Sequence, residues 1–389
     1  MKNIAKISAL TFVALSIVLL VFCKKELDTR QDCDSTDSIV DETELLLEYL
    51  EKNGDPVNCE STCLVSAREV HDQLYGNQYV LDLRTKNAFD ASHIPGAVQM
   101  PLNKLFFHFE ETIKPMKYDR IVLACNTGQS AVYATSLLRM MGYKNVYALK
   151  WGMSSWNSQL SKKWVDHPVV SEKLEMSKSA SMLTKPNDLP EITTNKSWRN
   201  EILKCRVKKL LAGGFKKVSV YADELNETSK NQIVIAYVSK KLYDRGHLKD
   251  AIHFPVRESL ARESDLLKLP TDKEILIYSE NGFESANAVA FLQILGYDAK
   301  TVRYGMNSFG MKTPNSINQS EIHNYTLVDF SEEVVFEEVP EARPRNQVSD
   351  VNKKSSGPKP TVKKKPKVKP KKVVPKKVQK KVEEEEEGC

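Results

Sequence analysis

Phe89-Asp90-Ala91-Ser92-His93 is echoed 154 residues later by Tyr243-Asp244-Arg245-Gly246-His247. The register then persists. Cys125-Asn126-Thr127-Gly128 meets Ser279-Glu280-Asn281-Gly282, and Gly142-Tyr143 meets Gly296-Tyr297. With one residue deleted, Trp151-Gly152-Met153 meets Tyr304-Gly305-Met306. Correspondence held over more than fifty residues marks a duplicated domain.

Within the first copy, Tyr79 to Leu83, Ile121 to Ala124 and Val146 to Leu149 are short β-rich apolar runs. Between the last two, Ala131 to Met141 has helical spacing, with Ala134, Leu137, Leu138 and Met141 on one face and Gly142 as the stop. Strand–helix alternation on this scale predicts an α/β fold: in each copy a parallel β-sheet covered by helices on both faces, with sites at the strands' carboxyl ends. The expected organisation is a leader over residues 1–23, a linker over 24–62 and a first domain over 63–165. A linker and helix follow over 166–215, then a second domain over 216–312 and a disordered tail over 313–389. Residues 168–198 have linker composition, and Ile202 to Leu211 reads as an amphipathic helix.

Charge separates body from tail. The chain of 389 residues carries +6, but residues 351–389 alone carry +9, so residues 1–350 carry −3. A mildly acidic body does not favour nucleic acid. Lys353 to Lys381 is low-complexity Lys, Pro and Val, which buries no core and suits an anionic surface or polymer. At the other end, Lys2 and Lys6 precede an apolar run over residues 7–22, the pattern of an export signal. Leu20-Val21-Phe22-Cys23 resembles a bacterial lipobox, which implies lipidation at Cys23; Phe22 departs from the small residue usual there. An uncleaved membrane anchor is the alternative. Either outcome leaves the body membrane-attached outside a bacterial cytoplasm.

The chemistry centres on Cys125. A buried strand ends at this thiol, Asn126, Thr127, Gly128, Gln129 and Ser130 follow, and a helix begins. That arrangement aims backbone N–H groups and the positive helix end at the sulfur, stabilising a thiolate or an anionic persulfide. The competing reading is an inert buried thiol. Asp82 and Arg84 read as an ion pair or backbone brace beside the loop, His93 as a positioning residue for the Pro95-Gly96 turn, and Trp151 and Trp156 as packing.

Asp82-Leu83-Arg84, then Phe89-x3-His93-Ile94-Pro95-Gly96-Ala97, then a six-residue loop opening with cysteine resemble the rhodanese (sulfurtransferase) family in order and spacing. The resemblance covers residues 63–156 and, more weakly, 219–309. It implies that Cys125 accepts sulfane sulfur from a small donor as a persulfide and passes it to a thiol or cyanide-like acceptor, with no cofactor. The family loop often carries arginine after the cysteine and arginine or threonine at its end; Asn126 and Ser130 stand in those places here, so this loop has no cation, which predicts poor use of thiosulfate. Related phosphatase loops are one residue longer and end in arginine; Ala131 stands there. In the second copy Ser279 replaces Cys125, Ala236 replaces Asp82, Val238 replaces Arg84, and Lys249-Asp250 replaces Pro95-Gly96. That copy is expected to fold and to be catalytically silent.

Two other functions compete: a non-catalytic scaffold that docks a partner, and a thiol redox sensor using Cys125 and another cysteine. Cys59 and Cys63 form the one close pair, either a local disulfide or two separate thiols, and no histidine follows at zinc-ligand spacing. Cys389 ends the chain as a second thiol that a long tail would deliver to Cys125; an incidental cysteine is the alternative.

Overall fold

The computed structural model describes residues 41–54, 56–58, 63–170, 175–227, 231–311, 313–314 and 316–328. Cys23, Cys59, Cys389 and the lysine-rich stretch lie outside the described residues.

The first copy folds around five parallel strands: β1 (Leu64–Val65), β2 (Gln78–Asp82), β3 (Val98–Gln99), β4 (Arg120–Ala124) and β5 (Val146–Leu149), in the order β1-β5-β4-β2-β3. Central β4 is apolar from Ile121 to Ala124 and buried throughout that run, as expected of a strand covered on both faces. A two-stranded antiparallel ribbon joins β6 (Met176–Ser177) to β9 (His247–Leu248). The second sheet is β7 (Ser219–Val220), β8 (Gln232–Val238), β10 (Ile252–Pro255), β11 (Glu274–Tyr278) and β12 (Ala299–Val302), again all parallel, in the order β10-β8-β11-β12-β7.

Five helices matter below: α1 (Glu42–Lys52), α2 (Gln129–Met140), α3 (Lys162–Val165), α4 (Arg199–Gly213) and α5 (Phe283–Ile294). Helices α2 and α5, which open at the equivalent loops of the two copies, pack against each other. One apolar cluster therefore runs through both copies, from Leu123 and Leu137 to Phe215, Phe283 and Phe291. Both copies lie in one compact unit beginning at Glu42.

Two expected boundaries are corrected. Residues 42–52, read as linker, form α1, because Leu46, Leu47 and Leu50 share one face and are buried in the common core. Its Glu42 carboxylate accepts the backbone N–H groups of Thr194 and Asn195, and Arg262 pairs with Glu44 at 2.6 Å. Residues 316–328, read as part of a disordered tail, return to the first copy as a strap. Val328 and His93 exchange backbone hydrogen bonds of 2.9 and 3.0 Å. Trp156 Nε1 donates to Thr326 O at 2.9 Å, and Lys150 pairs with Glu321 at 2.6 Å. The Tyr325 ring stacks on His71 at 4.0 Å and on His323 at 4.6 Å. Helix α4 falls where the apolar spacing placed one. No described helix is long and apolar enough to cross a membrane.

Candidate functional site

Strand β4 delivers Cys125 to the carboxyl edge of the first sheet, where its side chain is buried at 1% exposure. Gly128 N donates to Cys125 Sγ at 3.1 Å. That geometry needs the left-handed conformation Gly128 adopts, φ +93°, as it caps α2. The loop is gripped from behind. Met153 N donates to Cys125 O at 2.8 Å, and Ser154 donates to Asn126 O through its N at 3.1 Å and its Oγ at 2.9 Å. A side chain at Gly152 would place Cβ 2.1 Å from Cys125 O, so only glycine allows this approach.

The Asp82–Arg84 pair is buried at 1% and 2% exposure. Arg84 Nη2 donates to Asp82 Oδ2 at 2.7 Å and Nε to Oδ1 at 3.0 Å, while Nη2 also reaches Ser92 O at 2.6 Å. The pair sits level with Ala124, next to Cys125, since Leu83 N donates to Ala124 O at 2.7 Å. His93 Nδ1 donates to Phe89 O at 2.9 Å, and its ring stacks on Phe89 at 3.9 Å. None of the three lines the cleft in front of Cys125; they hold its surroundings. Trp151 and Trp156 are buried.

That cleft, about 260 Å³, is only half made by the loop. Cys125, Asn126, Thr127, Gln129 and Ser130 form one wall. The facing wall comes from Lys162, Lys163, Asp166 and His167 at the end of the first copy, and from Tyr221, Arg303 and Tyr304 of the second. Arg303 is 9% exposed. Its Nε donates to Ser219 Oγ at 3.1 Å and Nη1 to Tyr221 OH at 2.8 Å, with the guanidinium 4.6 Å above the Tyr221 ring. Among the described residues no hydrogen bond ties Nη2. The sequence reading missed these cations. The repeat register, which aligns Arg303 with Lys150, was the available signal, but only the packing of the copies shows which cleft it enters.

The second copy repeats the frame without the thiol. Ser279 is fully buried, and its Oγ accepts Gly282 N and Ser285 N, each at 3.1 Å. The same hydroxyl donates to Ser285 Oγ at 3.2 Å, and Ser285 bonds Thr301 at 2.7 Å. Gln129 Nε2 of the first loop donates to Asn281 O of the second at 3.3 Å. Of the remaining described cysteines, Cys63 and Cys205 are free thiols like Cys125. Burial pushes the Cys63 thiol up to about 11. Among the described residues no cluster of three His, Cys, Asp or Glu could hold a metal ion.

Twin parallel sheets, each closing on a glycine-capped loop, with a buried thiol in one of them, define a duplicated α/β domain pair. The chain belongs to the rhodanese-like domain family, which matches residues 66–159 and 221–312. Thiosulfate sulfurtransferase GlpE of Pseudoalteromonas translucida is 31% identical over 85 residues, 22% of this chain and 77% of that protein. The tRNA uridine(34) hydroxylase of Buchnera aphidicola is 29% identical over 93 residues, 23% of this chain; the chain spans only 30% of that relative's length. The adenylyltransferase and sulfurtransferase uba4 of Ogataea parapolymorpha, 28% identical over 82 residues (21% of this chain), is spanned over only 21% of its length. Among solved structures, the thiosulfate sulfurtransferase of Pseudomonas aeruginosa is 15% identical, with a TM-score of 0.27, over 73% of this chain and 48% of that one.

Proposed function

We propose that this protein is a sulfurtransferase that carries sulfane sulfur as a persulfide on Cys125. The observation that carries the reading is the Gly128 N–H directed at Cys125 Sγ at the mouth of α2, in a cleft open to a small molecule. A thiolate or persulfide anion is held there by backbone dipoles without any loop cation. The thiolate attacks the outer sulfur of the donor, the donor's sulfur bond breaks with its electron pair on the leaving group, and the persulfide remains. The second copy carries no sulfur, because a serine hydroxyl occupies its loop and is already hydrogen-bonded.

The expected weakness toward thiosulfate rested on the absence of a cation from the loop. Arg303, Lys162 and Lys163 reach the same cleft from outside it, which removes that premise and favours a small anionic donor. We further propose that residues 1–23 attach the body to the outer face of a bacterial membrane, with Cys23 as the lipidation site, and that the lysine-rich stretch binds an anionic surface. The test of the sulfur reading is intact-mass spectrometry after exposure to sulfur donors. The parent is expected to gain one sulfur on Cys125, and Cys125→Ser to gain none. A Cys125→Ser variant that still transfers sulfur at the parental rate refutes the assignment.

A further inference from the structure

We propose that His167 is the proton acceptor for the thiol that takes sulfur from Cys125; this rests on Cys125 carrying sulfur. His167 lies just past α3 and lines the Cys125 cleft. Its Nδ1 stands 2.6 Å from Trp164 O. A carbonyl only accepts, so Nδ1 carries the hydrogen, and in the neutral ring Nε2 is a bare lone pair. That Nε2 is buried and has no hydrogen-bond partner among the described residues. An unsatisfied buried polar atom costs roughly 1–3 kcal/mol, and native structures keep few of them, chiefly where function needs them.

The ring is held in place. It stacks on Tyr304 at 4.9 Å, and Tyr304 is itself tied by its hydroxyl to Lys163 O at 3.1 Å and packs edge-on against Trp164 at 5.2 Å. Tyr304 adopts φ +62°, a left-handed conformation uncommon for a bulky residue, so the backbone is committed to placing this ring. The other charged or titratable groups of the cleft are Lys162, Lys163, Asp166, Tyr221, Arg303 and the Tyr304 that stacks on the ring, besides Cys125. The loop itself, Asn126 to Ser130, contains no base.

The second half-reaction needs one. A neutral thiol is a poor nucleophile, because the thiolate attacks. As the acceptor's sulfur forms a bond to the outer sulfur of the persulfide, His167 Nε2 takes the acceptor's S–H proton. The bond between Cys125 Sγ and the outer sulfur breaks, its electron pair remaining on Sγ as a thiolate that faces Gly128 N–H. The acceptor leaves as a persulfide anion, the transferred sulfur keeping the charge it bore on Cys125. Imidazolium and thiolate stay behind in one cleft until the imidazolium returns its proton to solvent.

The experiment loads Cys125 with sulfur, confirms loading by mass, and then follows unloading by 2-mercaptoethanol and by sulfite dianion, which has no proton to give. His167→Asn keeps an N–H for Trp164 O but removes the base. The expected result is an unloading rate with 2-mercaptoethanol lower by about 100-fold, together with loss of the acidic limb of its pH profile, while the ratio of thiol to sulfite rates falls by a similar factor. Equal losses with both acceptors would mean a structural role and overturn the proposal, as would a thiol rate within about threefold of the parent. A parent that never loads sulfur removes the Cys125 reading itself, at the loading step and before any acceptor is added.

Discussion

Asp82 and Arg84 can be removed singly or together, and the second copy supplies the template for removing both. Asp82→Ala leaves the Arg84 guanidinium, 2% exposed, with Ser92 O as its remaining acceptor. Breaking one side of such a buried pair costs about 3–5 kcal/mol. Arg84→Val leaves the Asp82 carboxylate with the backbone N–H of residue 84, now 3.0 Å from Oδ1, so its loss should fall at the lower end of that range. The double variant Asp82→Ala with Arg84→Val reproduces the Ala236 and Val238 of the second copy, both buried there in an intact parallel sheet. With neither charge left to desolvate, it should recover at least about 2 kcal/mol relative to the sum of the singles. Urea denaturation of the four proteins measures the cycle, read from midpoints at constant slope. Additive losses, or an Asp82→Ala loss below about 1 kcal/mol, would refute the account of this pair as a mutually dependent brace.

Arg303→Met should lower kcat/KM for an anionic sulfur donor by about 10- to 150-fold, the equivalent of one charged hydrogen bond, while use of a neutral organic trisulfide changes little; equal losses with both donors would remove Arg303 from donor binding. Cys63, whose folded thiol stays protonated until the pH approaches about 11, should react with iodoacetamide at pH 8 about 100-fold more slowly than an unperturbed thiol. Its rate should keep climbing beyond pH 10, where an unperturbed cysteine has nearly levelled off, and peptide mass mapping at several pH values checks both.

The duplication and the loop at Cys125 were legible because they are local: a repeated register, a short apolar strand and a glycine at a turn each constrain a few neighbouring residues. What was not legible arises between the copies. Helix α2 reads as apolar along one face, yet Thr135 and Ser136 are buried too, and α2 packs against α5 of the second copy. Arg303 and His167 join the Cys125 cleft from 178 and 42 residues away along the chain, and no spacing rule connects them to the loop. Helix α1 is a different case. Its Leu46, Leu47 and Leu50 carry the helical signal plainly, although residues 24–62 read as linker. The strap over residues 316–328 is held mainly by backbone hydrogen bonds and aromatic stacking, neither of which leaves an apolar period to read.

That strap also sets a timetable. The first copy's last helix ends at Val165, yet the chain that bonds His93 and covers Trp156 is not made until Val328. At about 5–20 residues per second, a ribosome takes roughly 10–30 s to cross that interval. Throughout it the nascent first copy keeps Trp156 Nε1 and the backbone of His93 without their final partners. The amino-terminal half, synthesised first, is therefore the last to be finished.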